Sequence, residues 1–443
     1  MKFKLLSIVL FFLSFTISGQ TGFEFKSNKK KITLPFQFIN NLIIIPIEVN
    51  GVTLNFMLDT GVEETILFSI DDTEEVSFSK VEKVKIRGFG TNNAFEAYKS
   101  ENNNLKIKNF VDQNHTIYLV LDQEINISSQ VGIPVNGIIG NKFFKDNLIK
   151  IDYTAKKIII YNPNVNQLKE VTKNYSSFSI KLLQGKPYIN ANSFFTTDKP
   201  VLKSMLLIDT GNTDAFWFFK QKDKNIVIPN KYIDDYLGRG FSGDIFGKRG
   251  RIPSIAIGDF IFNNPIVAFP DSIATSDVEK IEGRLGSVGN EVMRRCTTIY
   301  DYAKGFIYLK KNSSYNDLFN FNMSGIEVQH QGLQWIPESF EDNPVVSNNL
   351  FDASGNKIAN NLKYKFELKP VYIISNVRKD SPAALAGLKK EDTIIKINAI
   401  NAYNFSLEKI NDLLKSEEGK IIEFEISRNG QIFKFKIQLK NIL

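Results

Sequence analysis

One cysteine, two histidines and two tryptophans are all that this 443-residue chain holds of those residue types. A lone Cys296 excludes an internal disulfide, so the fold must rest on buried apolar surface, for which the chain is long enough. His115 lies in a polar stretch and His330 stands alone near the start of a C-terminal segment. Cys/His nucleophilic catalysis and a multi-histidine zinc site therefore lack the residues they need. We expect no metal and no cofactor, and read Cys296 and both histidines as packing or surface residues. Carboxylates remain as the reactive groups to consider.

Excess charge of one sign is scarce too. The formal net charge is only +7, and apart from Lys29-Lys30-Lys31 the lysines are scattered rather than interleaved with aromatics on one stripe, so no nucleic-acid partner is expected. Long apolar runs are missing beyond the N-terminus. Residues 1–19 carry Lys2 and Lys4, a mostly apolar run from Leu5 to Ile17, and small Ser18 and Gly19 before Gln20, which is the layout of a cleavable signal peptide. The run is short for a membrane span, and no cysteine follows it to accept a lipid. The expectation is an exported protein, periplasmic or secreted, with no stable membrane span after signal cleavage; an uncleaved anchor is the alternative. Residues Thr21 to Lys31 read as either a short propeptide or a plain extension.

What the chain does have is Asp-Thr-Gly twice, at Asp59-Thr60-Gly61 and Asp209-Thr210-Gly211, each directly after an apolar run, Leu54–Leu58 and Lys203–Ile208. Average composition yields such a triplet by accident in roughly one chain in ten of this length. Two copies in like settings need a cause, and the rest of the sequence supplies one. Gly137-Ile138-Ile139-Gly140-Asn141 and the later Ile151-Asp152-Tyr153 return as Gly286-Ser287-Val288-Gly289-Asn290 and Tyr300-Asp301-Tyr302. The offsets are 150 for the aspartates (59 to 209), 149 for the glycines (140 to 289) and 149 for the later aspartates (152 to 301). Three landmarks slide as one frame, which is the mark of an internal duplication.

Period-two patterns dominate up to about residue 311. Leu42–Val49, Asn50-Gly51 and Val52–Leu54 read as a hairpin with an Asn-Gly turn, and Phe178–Leu182 and Tyr188–Ala191 flank Gln184-Gly185-Lys186 in the same manner. Few amphipathic helices compete, so the region is mainly β.

On these residues each half resembles a retropepsin-type aspartic protease unit, and the pair resembles a single-chain, pepsin-like arrangement over residues 32–311. The resemblance implies a bilobed acid protease fold of two duplicated β units, with lobes at 32–165 and 175–311. It also implies a catalytic pair, Asp59 and Asp209, on loops supported by Thr60, Gly61, Thr210 and Gly211, the two threonines cross-linking the loops. Flaps would fall at Arg87-Gly88-Phe89-Gly90-Thr91 and at Gly238–Gly243. Three departures stand out: Ser287 where an apolar residue is usual, and Val62 and Asn212 where a small residue or Ser follows the Gly. Two neighbouring carboxyls cannot both ionise cheaply, so such a pair shares a proton and offers an acid and a base at once.

Asn312–Asp317 reads as a polar linker, after which residues 320–443 resemble an α+β PDZ domain of the circularly permuted bacterial kind. Ser324-Gly325-Ile326 look like its carboxylate-binding loop, and Tyr372–Val377 followed by Ser381-Pro382-Ala383-Ala384-Leu385-Ala386-Gly387-Leu388 carry the signature. Ser381 is a fitting N-cap and Pro382 a fitting first helical residue. Leu407, Ile410, Leu413 and Leu414 behind Ser406 mark a second helix, on the groove or in the core. Glu391 and Ala399 stand where Gly is usual, and the Asn-rich stretch from Pro337 to Pro370 reads as an inserted loop. The implied partners are polypeptide substrates, with peptide C-termini at the PDZ domain. Two functions follow: an aspartic endopeptidase, or a peptide-binding scaffold that keeps the protease fold without cleaving.

Overall fold

The computed structural model describes residues 22–69, 75–86, 95–120, 127–163, 167–198, 200–240, 243–271, 281–340 and 363–443. Residues 1–19, the first flap tip at Arg87–Thr91, Phe241-Ser242 of the second, and the pairs Asn348-Asn349 and Asn360-Asn361 lie outside that set. The arms of both flap hairpins are within it, at Val81–Ile86 with Phe95–Ile107 and at Tyr232–Gly240 with Gly243–Arg251.

The alternating runs build sheets as their period demands. Strand Leu42–Val49 turns through Asn50 and Gly51, both at positive φ, into Val52–Leu58, with Ile44 opposite Met57. Strand Gly137–Ile139 then lies parallel to Val52–Leu58, Ile138 opposite Met57, and antiparallel to Thr65–Leu67. The second half repeats the connectivity. Lys186–Phe194 pairs with Leu202–Asp209, Tyr188 opposite Leu207, and Arg284–Gly289 inserts parallel to Leu202–Asp209 and antiparallel to Phe216–Phe218. One frame of offsets has become two lobes of like topology.

A third sheet joins the lobes, in the order Ser176–Ser179, Phe306–Lys311, Cys296–Asp301, Leu148–Asp152, Lys157–Tyr161, Lys31–Pro35. Each lobe gives three strands, and the seam is the antiparallel pair in which Leu148 lies opposite Asp301 and Ile151 opposite Thr298. Under it Phe144 packs 5.1 Å from Tyr300 and 5.3 Å from Tyr302 between ring centroids. The described part of the N-terminal extension is built into the first lobe: Phe23 is buried and stacked on Phe110 at 4.8 Å, and Glu24–Phe25 pairs with Val111 and Phe110.

The linker is no loose tether. Arg294 reaches the Asp317 carboxylate at 2.8 Å, Arg295 donates to the carbonyls of Tyr315, Asp317 and Leu318, and the Tyr315 ring lies 5.7 Å from Phe262. Its polar composition reflects backbone carbonyls that need donors, and two adjacent arginines supply them.

The C-terminal domain is a sheet of Ile326–Phe340, Lys363–Val377, Thr393–Ile397, Ile421–Arg428 and Gln431–Gln438 with two short helices. Ser381 Oγ accepts from the Ala384 amide and Gly387 closes that helix at φ +97, while Ser406 Oγ accepts from Lys409 and the helix Leu407–Leu414 buries Leu407, Ile410 and Leu414. Glu391 and Ala399 take positive φ, the conformation that glycine would adopt there more cheaply. The stretch from Pro337 to Pro370 is corrected in part. Its ends continue as a two-stranded ribbon, with Leu333 opposite Pro370, Trp335 opposite Leu368 and Pro337 opposite Phe366. Proline does not interrupt it because a two-stranded ribbon has free edges.

This domain rests on both lobes. Asn411 donates to Asn40 Oδ1 at 3.1 Å and Leu407 packs on Gly132 of the first lobe. Arg378 meets Asp235 at 3.3 Å, and Arg251 donates to the Phe319 carbonyl at 2.8 Å, in the second. Between them lies a cavity of 590 Å³, lined on one side by Asn41, Thr213 and Tyr236 and on the other by Glu327, Gln329 and Asn411.

Candidate active site

Each Asp-Thr-Gly triplet sits where its strand ends, so the two strand ends bring the loops face to face. Thr60 N donates to Thr210 Oγ1 and Thr210 N to Thr60 Oγ1, both at 3.0 Å, and each hydroxyl in turn donates across the interface, Thr60 to the Ile208 carbonyl at 2.7 Å and Thr210 to Leu58 at 2.9 Å. Four reciprocal bonds between fully buried groups fix the separation of the loops. Gly61 N donates to Asp59 Oδ1 at 2.7 Å and Gly211 N to Asp209 Oδ1 at 3.1 Å. The two carboxyls converge on one point: a Cβ on Gly61 would lie 2.8 Å from Asp209 Oδ1 and 3.1 Å from Asp59 Oδ1. Glycine is required by space here: a Cβ on Gly211 would lie 2.2 Å from Asp59 Oδ2, and one on Gly140 2.0 Å from the Val62 carbonyl oxygen.

Burial, and then the charge of Asp209, holds the Asp59 carboxyl well above the usual carboxylate range. Burial raises Asp209 as well, but Arg284, the Gly211 amide and Lys186 pull it back. The pair therefore keeps one shared proton into the range where isolated carboxyls have lost theirs.

Several residues with a part in this geometry drew no attention in the sequence. Asn290 donates to the carbonyls of Asn41 and Thr210, both at 2.8 Å, and accepts from the Tyr153 hydroxyl at 2.8 Å, so it ties the second loop to the first lobe. The repeated Gly-Asn pair was the available signal. Lys186 and Arg284 were missed because neither belongs to a repeated motif. The departures at Val62 and Asn212 are both built into local structure. The Val62 carbonyl accepts from Asn141 N at 3.0 Å while its side chain packs against the buried cluster of Leu42, Ile44, Met57, Val131, Val135 and Ile138, and Asn212 Oδ1 accepts from Asp214 N at 2.9 Å.

His115 is not in a polar loop. It lies buried in strand Phe110–Leu119, with Nδ1 2.7 Å from Asp112 and Nε2 2.6 Å from the Thr65 hydroxyl. Burial pushes its pKa down, so the neutral ring donates to Asp112 and accepts from Thr65. The order of groups is that of a hydroxyl–histidine–aspartate relay, but all three are buried and no substrate reaches them. Cys296 is buried with its thiol pushed up to about 12 by burial, and His330 lies half-buried 6.0 Å from the Tyr372 ring.

In the C-terminal loop, Ser324, Gly325 and Ile326 stand together, but their amides already have acceptors. Asn322 Oδ1 takes Ser324 N at 3.1 Å and Gly325 N at 3.2 Å, and Ser324 Oγ takes Ile326 N at 3.2 Å. A carboxylate would have to displace the Asn322 side chain.

Residues 45–143 match the aspartyl protease family model and residues 373–428 match the PDZ domain model. The two resemblances read from the sequence, a protease followed by a PDZ domain, are thereby borne out. Among solved structures, the aspartic proteinase from Irpex lacteus is similar at 13% identity, covering 65% of this chain and 99% of that one with a TM-score of 0.41. No curated protein matches the chain.

Proposed function

We propose that this chain is an exported aspartic endopeptidase that hydrolyses polypeptides with water activated between Asp59 and Asp209. The observation that carries this reading is the reciprocal Thr60–Thr210 bonding, which spends four buried hydrogen bonds on holding two carboxyls side by side. Asp209, the member that also has Arg284 nearby, takes a proton from the water as its oxygen attacks the scissile carbonyl carbon. Asp59 gives its proton to the carbonyl oxygen, and the tetrahedral adduct collapses when Asp209 passes its proton to the leaving nitrogen while Asp59 takes back a proton from one of the adduct's two hydroxyls, which frees the acid and the amine and restores the pair. Export rests on the pattern of residues 1–19. The PDZ domain presents the polypeptide, because its first strand and second helix open into the cavity that also touches Asn41 and Thr213 beside the loops.

The test is cleavage of an unfolded polypeptide by the mature chain across pH. Asp59→Asn and Asp209→Asn should each lower the rate by at least about a thousandfold, with the double variant little worse than either. A hydroxyl-bearing transition-state mimic should inhibit and chelators should not. Undiminished cleavage in either variant refutes the pair, and a wild type that binds but never cleaves is a scaffold.

A further inference from the structure

The duplication allows each lobe to serve as a control for the other, and in one place the copies differ in kind. In the first lobe Leu42, Ile44, Val135 and Ile138 share one apolar cluster beside the Asp59 strand. Strand register identifies their counterparts. Ile44 lies opposite Met57 as Tyr188 lies opposite Leu207, and Met57 neighbours Ile138 as Leu207 neighbours Ser287; chain spacing then sets Leu42, two residues before Ile44, against Lys186, two before Tyr188, and Val135, three before Ile138, against Arg284, three before Ser287. Four aliphatic positions have become Lys186, Tyr188, Arg284 and Ser287. The unexpected Ser287 is thus one of a set.

Arg284 is 9% exposed and lies over the rings of Phe219 at 5.3 Å and Tyr188 at 6.0 Å, while its Nε donates to the Gly286 carbonyl at 3.2 Å. Lys186, two residues before Tyr188, is partly buried on the same face of its strand. Among the described residues no carboxylate forms an ion pair with either cation; the charges Lys186 faces are Arg284, the two dyad carboxyls and, more weakly, Glu63. Arg249 on the same sheet is different, being held by both Asp214 and Asp235. Two buried-side cations sharing a dyad that carries one negative charge leave one positive charge without a partner, in a place where an unpaired charge is costly.

We propose that Lys186 and Arg284 form a subsite of the second lobe that takes a carboxylate of the substrate next to the scissile bond. The carboxylate comes from an Asp or Glu side chain or from the free end of the chain, and the first lobe's equivalent subsite takes an apolar side chain. The inference deepens the peptidase reading and rests on it.

The experiment measures kcat/KM of the full mature chain on peptides of one core sequence carrying Glu, Gln, Leu or Lys at each position around the cleaved bond. Each is made with a free-acid and an amidated C-terminus. Glu should exceed Gln at one position by about tenfold or more, as expected for a charge-assisted hydrogen bond out of water. Preference that instead follows the free-acid terminus identifies the chain end as the source. Lys186→Leu, the residue of the other lobe, should bring the ratio close to unity, and Lys186→Glu should favour Lys at that position. If Lys186 only tunes the dyad, Lys186→Leu shifts the pH profile equally for every peptide and keeps the ratio, which overturns the subsite. Equal rates for Glu and Gln throughout in the wild type overturn it too. Should the wild type cleave nothing, the peptidase reading fails, and the same peptide pairs are titrated against the Asp59→Asn chain. Tenfold tighter binding of the acid supports the subsite, and equal binding overturns it.

Discussion

At Asp59 ionisation and stability oppose each other. Its folded pKa is raised, first by burial and then by Asp209, so the folded state holds the proton more tightly than the unfolded chain does. That contribution is complete below the ordinary carboxylate range and is lost as pH rises through the folded value. Asp59→Asn keeps the shape and removes the charge. Its melting temperature should therefore exceed that of the wild type by a margin that grows from pH ~4 to ~8. A margin independent of pH, in thermal melts across that range, contradicts the raised carboxyl. By the same shift, the alkaline fall in peptidase activity should lie nearer neutrality than for an isolated carboxyl.

Thr60→Val tests the cross-link, because it keeps the volume and deletes the hydroxyl that serves Thr210 N and the Ile208 carbonyl. Two buried groups lose their partners, which should cost about 2–4 kcal/mol in denaturant unfolding. These residues were legible because the triplet repeats. Lys186 and Arg284 were not, since their meaning is a contrast between lobes that exists only once strand register aligns them.

At the scale of the element, hairpins, turn glycines and helix caps were readable because each has a local cause. Asn50-Gly51, Ser381 and Ser406 act where the sequence places them. Non-local causes were not readable. The ribbon through Pro337 and Pro370 depends on cross-strand pairing, the Asn312–Asp317 segment on distant arginines, and the burial of His115 on Thr65 in another strand. The loop at Ser324 combines both: the resemblance to a PDZ domain implied a carboxylate-binding loop there, whereas its amides are occupied by Asn322 and Ser324 Oγ. With the Asp59/Asp209 cleft and its neighbouring subsites filled by the hydroxyl-bearing mimic, free-acid and amidated versions of one peptide should therefore differ in affinity for the chain by less than about tenfold. A larger preference for the free acid means that Asn322 swings aside on binding.

At the scale of the whole molecule, the shared offset of about 150 residues runs alongside two halves of like strand connectivity, but says nothing of how strongly they depend on each other. The seam pairs Leu148–Asp152 with Cys296–Asp301, and the loops exchange their threonines, so structure that looks local to one lobe is completed by the other. By contrast the only covalent link between them in this region is the short run from Tyr161 to Ser176. The chain should then tolerate being cut there. Two polypeptides, one ending and the other starting within that run, are expected to be poorly folded apart. Mixed, they should assemble into a heterodimer that regains peptidase activity with second-order kinetics. Fragment complementation of this kind treats the chain as an obligate dimer whose subunits happen to be tethered.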